Sequence, residues 1–235
     1  FDRLPPLVKK GGTLYLAEIS SDPAFALIAA SSQSVLTQVL FNNLGSNTTY
    51  YARVKARSHA GTETLYTGLG STVTLAQVPV AGIYSGVSTG TLQSNWSDPV
   101  NPSGTIFISE LSLDPSFGLI AQSSVTSGLN SFFEGLSVNT TYYSRIKARN
   151  WAGTDTLYSS LGATSTLAMA PSSQASTFTL VSVSSLSFQW SSNNNPEGTL
   201  YMAEVSTKSD FSDSIVALST RALEILFTGL YSNST

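Results

Sequence analysis

The chain has 235 residues, a net charge of −3, 11% charged residues and no cysteine. Ordinary domains carry about 25% charged residues, so Ser, Thr, Asn and Gln must coat much of this surface. The small negative charge argues against nucleic acid and against an anionic membrane face; no apolar run nears the roughly 20 residues of a membrane helix; and disulfide staples are excluded, which suits the cytosol and equally a bacterial surface protein.

From the start of the chain, F-D-R-L-P-P-L-V-K-K precedes Gly12, and an extended run follows in which Tyr15, Ala17 and Ile19 share one face. A D-P-x-F turn then brings Phe25, expected as a core plug. The stretch from Leu44 to Tyr66 reads L-G-S-N-T-T-Y-Y-A-R-V-K-A-R-S-H-A-G-T-E-T-L-Y. A second passage opens at Ala81–Val87, expected as a strand. Leu92, Ser94 and Trp96 then alternate, and D-P-V-N-P-S-G forms a turn-rich loop. Thr105–Ser112 is a third strand with Phe107, Ser109 and Leu111 inward and Ile108 and Glu110 outward. Phe117 is a second expected plug, and Ile120 and Leu129–Phe133 give short strands. Leu136 to Tyr158 is a second copy of Leu44 to Tyr66 and reads L-S-V-N-T-T-Y-Y-S-R-I-K-A-R-N-W-A-G-T-D-T-L-Y. Tyr142, Ser144, Ile146 and Ala148 alternate with Tyr143, Arg145, Lys147 and Arg149, the period of a strand with one buried face. The third passage repeats Trp190, Tyr201, Ala203, Val205 and Phe211, and reaches L-Y-S-N-S-T from Leu230.

Tyr50 and Tyr142 stand 92 residues apart, and Leu136 and Leu230 stand 94 apart. A period above ninety is too long for a solenoid repeat and suits an autonomous domain of about 100 residues. The units fall at 1–76, 77–168 and 169–235, with only the middle one whole: the first lacks its opening strands and the third its last ones. The expectation is a window on a longer repetitive protein. The alternative is that successive subunits complete each other by donated strands. Short strands with regular turns indicate an all-β chain of immunoglobulin-like sandwiches, seven strands in the complete unit.

The pattern W…Y-x-V…L-x-x-x-T-x-Y-x-x-x-V-x-A-x-N-x-x-G resembles the fibronectin type III domain. Trp96, Phe107, Leu136, Thr140, Tyr142, Ile146, Ala148, Asn150 and Gly153 carry it in the second unit. Tyr15, Leu44, Thr48, Tyr50, Val54, Ala56 and Gly61 carry it in the first, and Trp190, Tyr201 and Leu230 in the third. The S-x-D-P-x-F element looks like bacterial members of the family. The resemblance implies a structural core of Trp96, Trp190, Tyr50, Tyr142, Leu44, Leu136, Phe25, Phe117 and Phe211. It also implies that Tyr50 and Tyr142 tie their strand to backbone upstream. The turn that carries Arg-Gly-Asp in some members reads N-W-A-G-T-D here, so integrin binding does not transfer.

The basic stripe Arg145, Lys147 and Arg149, with Arg53, Lys55 and Arg57 in the first unit, is expected to pair across strands with Glu110 and Glu18. The competing reading is a docking stripe for an acidic neighbour or an anionic polysaccharide. Trp151 is the leading contact candidate, and the outer-face residues Leu14, Leu16, Ile108 and Met202 are candidates for packing between units or chains. Asn47, Asn95, Asn139 and Asn233 open N-x-[ST] glycosylation motifs, although a turn by itself explains Asn at three of them. Asp98, Asn101, Asp114, Asp155 and Asn193–Asn195 are oxygen donors without a calcium-loop spacing. His59 stands alone, and no catalytic constellation recurs, so neither an enzyme nor a cofactor is expected. The joins Thr74–Pro79 and Thr166–Pro171 leave almost no free linker. The expected function is a non-enzymatic extracellular or cell-surface rod, stalk or filament whose partners are neighbouring copies of the repeat or chain. An adhesin or carbohydrate-binding spacer, meeting a polysaccharide or a cell-surface protein, is the alternative.

Overall fold

Alternation of buried and wetter side chains is clearest in the second unit, at Leu92–Ser97, Asn130–Phe133 and Thr141–Arg149. The computed structural model describes residues 12–98 and 100–231. These contain sixteen strands, all paired antiparallel, and no helix. In the first unit β1 (Leu14–Ser20), β2 (Ala30–Ser34), β3 (Thr49–Arg57) and β4 (Thr67–Val73) make one sheet in the order β2-β1-β3-β4.

The second unit has two sheets. One joins β5 (Val80–Ala81), β6 (Leu92–Ser97) and β9 (Asn130–Phe133). The other runs β11-β10-β7-β8, from β7 (Ile106–Ser112), β8 (Gln122–Thr126), β10 (Thr141–Arg149) and β11 (Ser159–Ser165). Every second side chain of β10 is buried, Tyr142 through Ala148, while the arginines and lysine between them are partly exposed. These inward side chains meet those of the other sheet. Leu92 and Phe133 pack with Leu111, Leu136 and Tyr142, and Trp96 packs with Phe107, Ile146, Ala148 and Leu161. Three strands facing four, with the third and fourth strands beside the sixth and seventh, form a fibronectin type III-like sandwich.

The third unit has β12 (Ser172–Val181), β13 (Leu186–Ser191) and β16 (Glu224–Phe227) in one sheet, and β14 (Tyr201–Val205) with β15 (Val216–Thr220) in another. Trp190, Tyr201, Ala203, Ile225 and Phe227 form its core.

Among the described residues the first unit has one sheet, and comparison with the second unit shows what a facing sheet does. Leu161 is 8% exposed, whereas its counterpart Leu69 is 63% exposed. Over that inner face lies an open groove of about 520 Å³, bordered by Tyr15, Ile19, Val54 and Leu69. Leu44 and Tyr50 are correspondingly only partly buried, where Leu136 and Tyr142 are closed off. Gly45 N and Ser137 N each donate to the phenol oxygen of Tyr50 and Tyr142, both at 3.0 Å.

Several expectations need correction. The strand expected over Ala81–Val87 reduces to Val80–Ala81 and a single bridge from Ser85 to Gln93. Gly82 runs so close to Asn95 that a Cβ would sit 2.8 Å from its carbonyl oxygen, and Gly86 turns the chain at φ 58°. Ile120 lies before its strand, which starts at Gln122. Phe25, Phe117 and Phe211 are not core plugs. All three sit at positive φ within their turns, and Phe211 is 46% exposed. Ile108 is buried within its own unit and is not an outward contact, whereas Met202 on an equivalent strand stays exposed.

Candidate functional site

One set of residues that recurs with the same bonds lies where one unit meets the next. Asn47 sits in a left-handed turn at φ 42°, and Asn139 repeats it at φ 43°. Asn accepts this conformation because its short polar side chain can bond locally. Each turn is stitched to the residues that follow the last strand of its own unit. Asn47 N donates to Leu75 O and Asn139 N to Leu167 O, at 3.0 and 3.1 Å. Thr74 Oγ1 and Thr166 Oγ1 donate to Gly45 O and Ser137 O, both at 2.6 Å.

With the backbone held, the asparagine side chains point forward. Asn47 Nδ2 donates to Thr105 Oγ1 and Asn139 Nδ2 to Thr199 Oγ1, each at 2.8 Å. Asn47 Oδ1 also accepts from Trp151 N at 2.8 Å, and Asn150 Nδ2 reaches back to Thr74 O at 3.1 Å. Behind them, Asn101 and Asn195 each clasp one linker residue, Gln77 and Met169, through both backbone groups. Asn47 is fully buried, and Thr105, Asn150, Asn195 and Thr199 are buried with it. Buried amides gain most from hydrogen bonds when every donor and acceptor is used, and this arrangement uses both ends of Asn47. Its N-x-[ST] nitrogen is therefore sealed inside the joint. Asn95 Nδ2 is engaged as well, with Ile83 O at 2.7 Å, and Asn233 lies outside the described residues.

On the outer face of β3 and β10, Arg53, Lys55, Arg145, Lys147 and Arg149 pair internally. Arg53 meets Glu18 and Arg145 meets Glu110, both at 2.7 Å. The remaining carboxylates come from the turn after the strand. Lys55 pairs with Glu63, and Lys147 and Arg149 both pair with Asp155. The bond from Arg149, then that from Lys147, holds the Asp155 carboxyl down at about 2, and Asp155 in turn raises both cations. The Arg145 guanidinium is also stacked between Phe117 at 4.3 Å and Tyr158 at 3.8 Å, and Arg53 lies likewise between Phe25 and Tyr66. This is where two of the phenylalanines expected in the core, Phe25 and Phe117, have gone. Alternation places the cations correctly, but carboxylates and rings supplied by turns carry no periodicity and give no such signal.

Trp151 is 52% exposed, with its backbone fixed to the preceding unit. Among the described residues no group of three or more His, Cys, Asp or Glu converges as a metal site, and Asp98 instead accepts from Asn101.

No protein-family model and no curated protein matches this chain. Solved structures are similar to it in part. A two-domain fibronectin type III segment of chicken tenascin aligns over 67% of this chain and 86% of its own, at 15% identity and a TM-score of 0.43. The FN1–FN3 domains of chicken CNTN1 align over 64% of this chain and 56% of theirs, at 16% identity and a TM-score of 0.28. A β-sandwich protein from a computer-based redesign aligns over 41% of this chain and 95% of its own, at 22% identity and a TM-score of 0.33.

Proposed function

We propose that the chain is a non-enzymatic structural segment, a semi-rigid extracellular or cell-surface rod of fibronectin type III-like domains spanning 1–76, 77–168 and 169–235. The single observation that supports this is the joint. Asn47 with Thr105, and Asn139 with Thr199, make the same bond at the same distance in two successive joins, fully buried in the first and partly buried in the second. Two units coupled by a free linker would not need matching side-chain bonds across both boundaries. An array with one repeated joint advances by a similar rotation at each step, and its neighbours are further copies of the repeat. Small-angle X-ray scattering on the chain tests this. An elongated pair-distance distribution is expected, and a compact or broadly averaged one overturns the rod.

A carbohydrate-binding spacer is the second reading, favoured by the half-exposed ring of Trp151 on a turn that the joint holds still. Quenching of Trp151 fluorescence by surface polysaccharide, lost in Trp151→Ala, would support it over a purely structural role.

A further inference from the structure

One loop at each joint has a stricter sequence than its position requires. Residues 101–105 read N-P-S-G-T and residues 195–199 read N-P-E-G-T, whereas residues 9–13 of the first unit read K-K-G-G-T. In both N-P-x-G-T loops the asparagine makes a two-bond clasp on the backbone of the incoming linker. Asn101 Oδ1 accepts from Gln77 N at 2.7 Å while its Nδ2 donates to Gln77 O at 2.9 Å. Asn195 does the same to Met169 at 2.8 and 2.7 Å. An amide paired with a peptide group reads backbone, which is why Gln and Met can alternate at the clasped position.

The glycine allows the chain to turn at φ 86° in Gly104 and 85° in Gly198, in the region where a Cβ is disfavoured. The threonine hydroxyl is oriented from within the loop. Thr105 Oγ1 donates to Pro102 O at 2.8 Å and Thr199 Oγ1 to Pro196 O at 2.7 Å. With its hydrogen committed, each hydroxyl can only accept, and it accepts from Asn47 or Asn139. Loop and turn are thus complementary in chemistry as well as shape.

We propose that N-P-x-G-T is a socket that reads the preceding neighbour, and that the partner it fits is a repeat presenting a left-handed asparagine in an N-T-T-Y turn followed by an extended linker. The proposal rests on the rod reading and adds what selects and fixes each neighbour. Joint rigidity comes from this socket and not from the linker prolines alone. A loop of the K-K-G-G-T type has no amide to clasp the linker backbone and is not accepted behind such a turn.

The test uses the chain's lack of cysteine. Spin labels at Ser31→Cys and Ser123→Cys, both exposed, report the distance between the first and second units by pulsed dipolar spectroscopy. A single narrow distance peak is expected. Asn47→Gly keeps the left-handed turn but removes the amide, Thr105→Val keeps the shape but removes the acceptor, and Asn101→Lys installs the first unit's residue. Each is expected to lose the narrow peak, while Thr105→Ser retains it. Unchanged fluorescence of buried Trp96 shows that the second unit is still folded. If the peak stays narrow in all three variants, the socket is wrong and the rod stands on its linkers. If Thr105→Ser broadens as much as Thr105→Val, the hydroxyl is not what is read, and the proposal falls. A broad distribution in the unsubstituted chain overturns the rod and the socket together.

Discussion

Trp96 and Asp155 show how differently two residues of one unit are held. The Trp96 ring is 4% exposed and lies 5.8 Å from the Phe107 ring, while its Nε1 has no hydrogen-bond partner among the described residues. Trp96→Ala should cost about 3–5 kcal/mol in chemical denaturation, through lost burial and the cavity left behind. Trp96→Phe should cost clearly less, because it keeps an aromatic plug and removes an unsatisfied donor. Equal losses in the two variants would mean that the indole nitrogen is satisfied after all. Asp155 stabilises by charge. Its carboxyl titrates at about 2 in the fold against an ordinary 3.8. A depressed carboxyl contributes stability that is complete above its unfolded value and is lost as pH falls through its folded value. Acid titration of unfolding should therefore show a loss between those two values that Asp155→Asn abolishes. At the surface it amounts to about 1 kcal/mol at most after solvent screening.

At the scale of elements, strands are legible in the sequence and turns are not. The alternation of Tyr142, Ser144, Ile146 and Ala148 directly states which face of β10 is wet, whereas in β7 the buried Ile108 breaks the same period. A turn has no period, so an apolar side chain within it reads as core by default. Phe117 shows the failure. The bonds from Ser116 N and Gly118 N to the Asp114 carboxylate shape a tight turn that lifts the ring outside, over Arg145. Phe117→Ala should accordingly cost only about 0.5–1 kcal/mol, the value of an exposed cation–π contact and not of a core aromatic. A loss as large as that of Trp96→Ala would put the ring back in the core. The asparagines are legible as turn formers for a sound local reason. That same reason conceals their second role, because a bond between residues 58 or 60 positions apart leaves no trace in local pattern. Tyr84 escapes sequence reading in the same way. Its hydroxyl donates to Gly162 O at 2.9 Å and contacts Ser144 Oγ at 2.8 Å, linking the edge region to the opposite sheet.

For the molecule as a whole, the repeat length marks out the units, and the bonds between them become visible only in three dimensions. The two periods, 92 and 94 residues, differ by an insertion that the joint never meets. Pro79 and Pro171 still stand 92 apart, while Trp96 and Trp190 stand 94 apart, so the added residues fall within or just after β12. That strand lies at the edge of its sheet and slips register between Ser173 and Phe178 and again between Phe178 and Leu180. Bulges at an edge absorb extra length without disturbing interior ladders. Two further residues placed between Gln174 and Thr177 should leave the melting temperature of the third unit nearly unchanged, whereas the same two placed between Ser103 and Gly104 should uncouple the first two units. Gene duplication followed by small insertions can then lengthen or shorten individual copies at their edges while the coupling chemistry is inherited intact, so a family of such arrays would diverge in spacing sooner than in pitch.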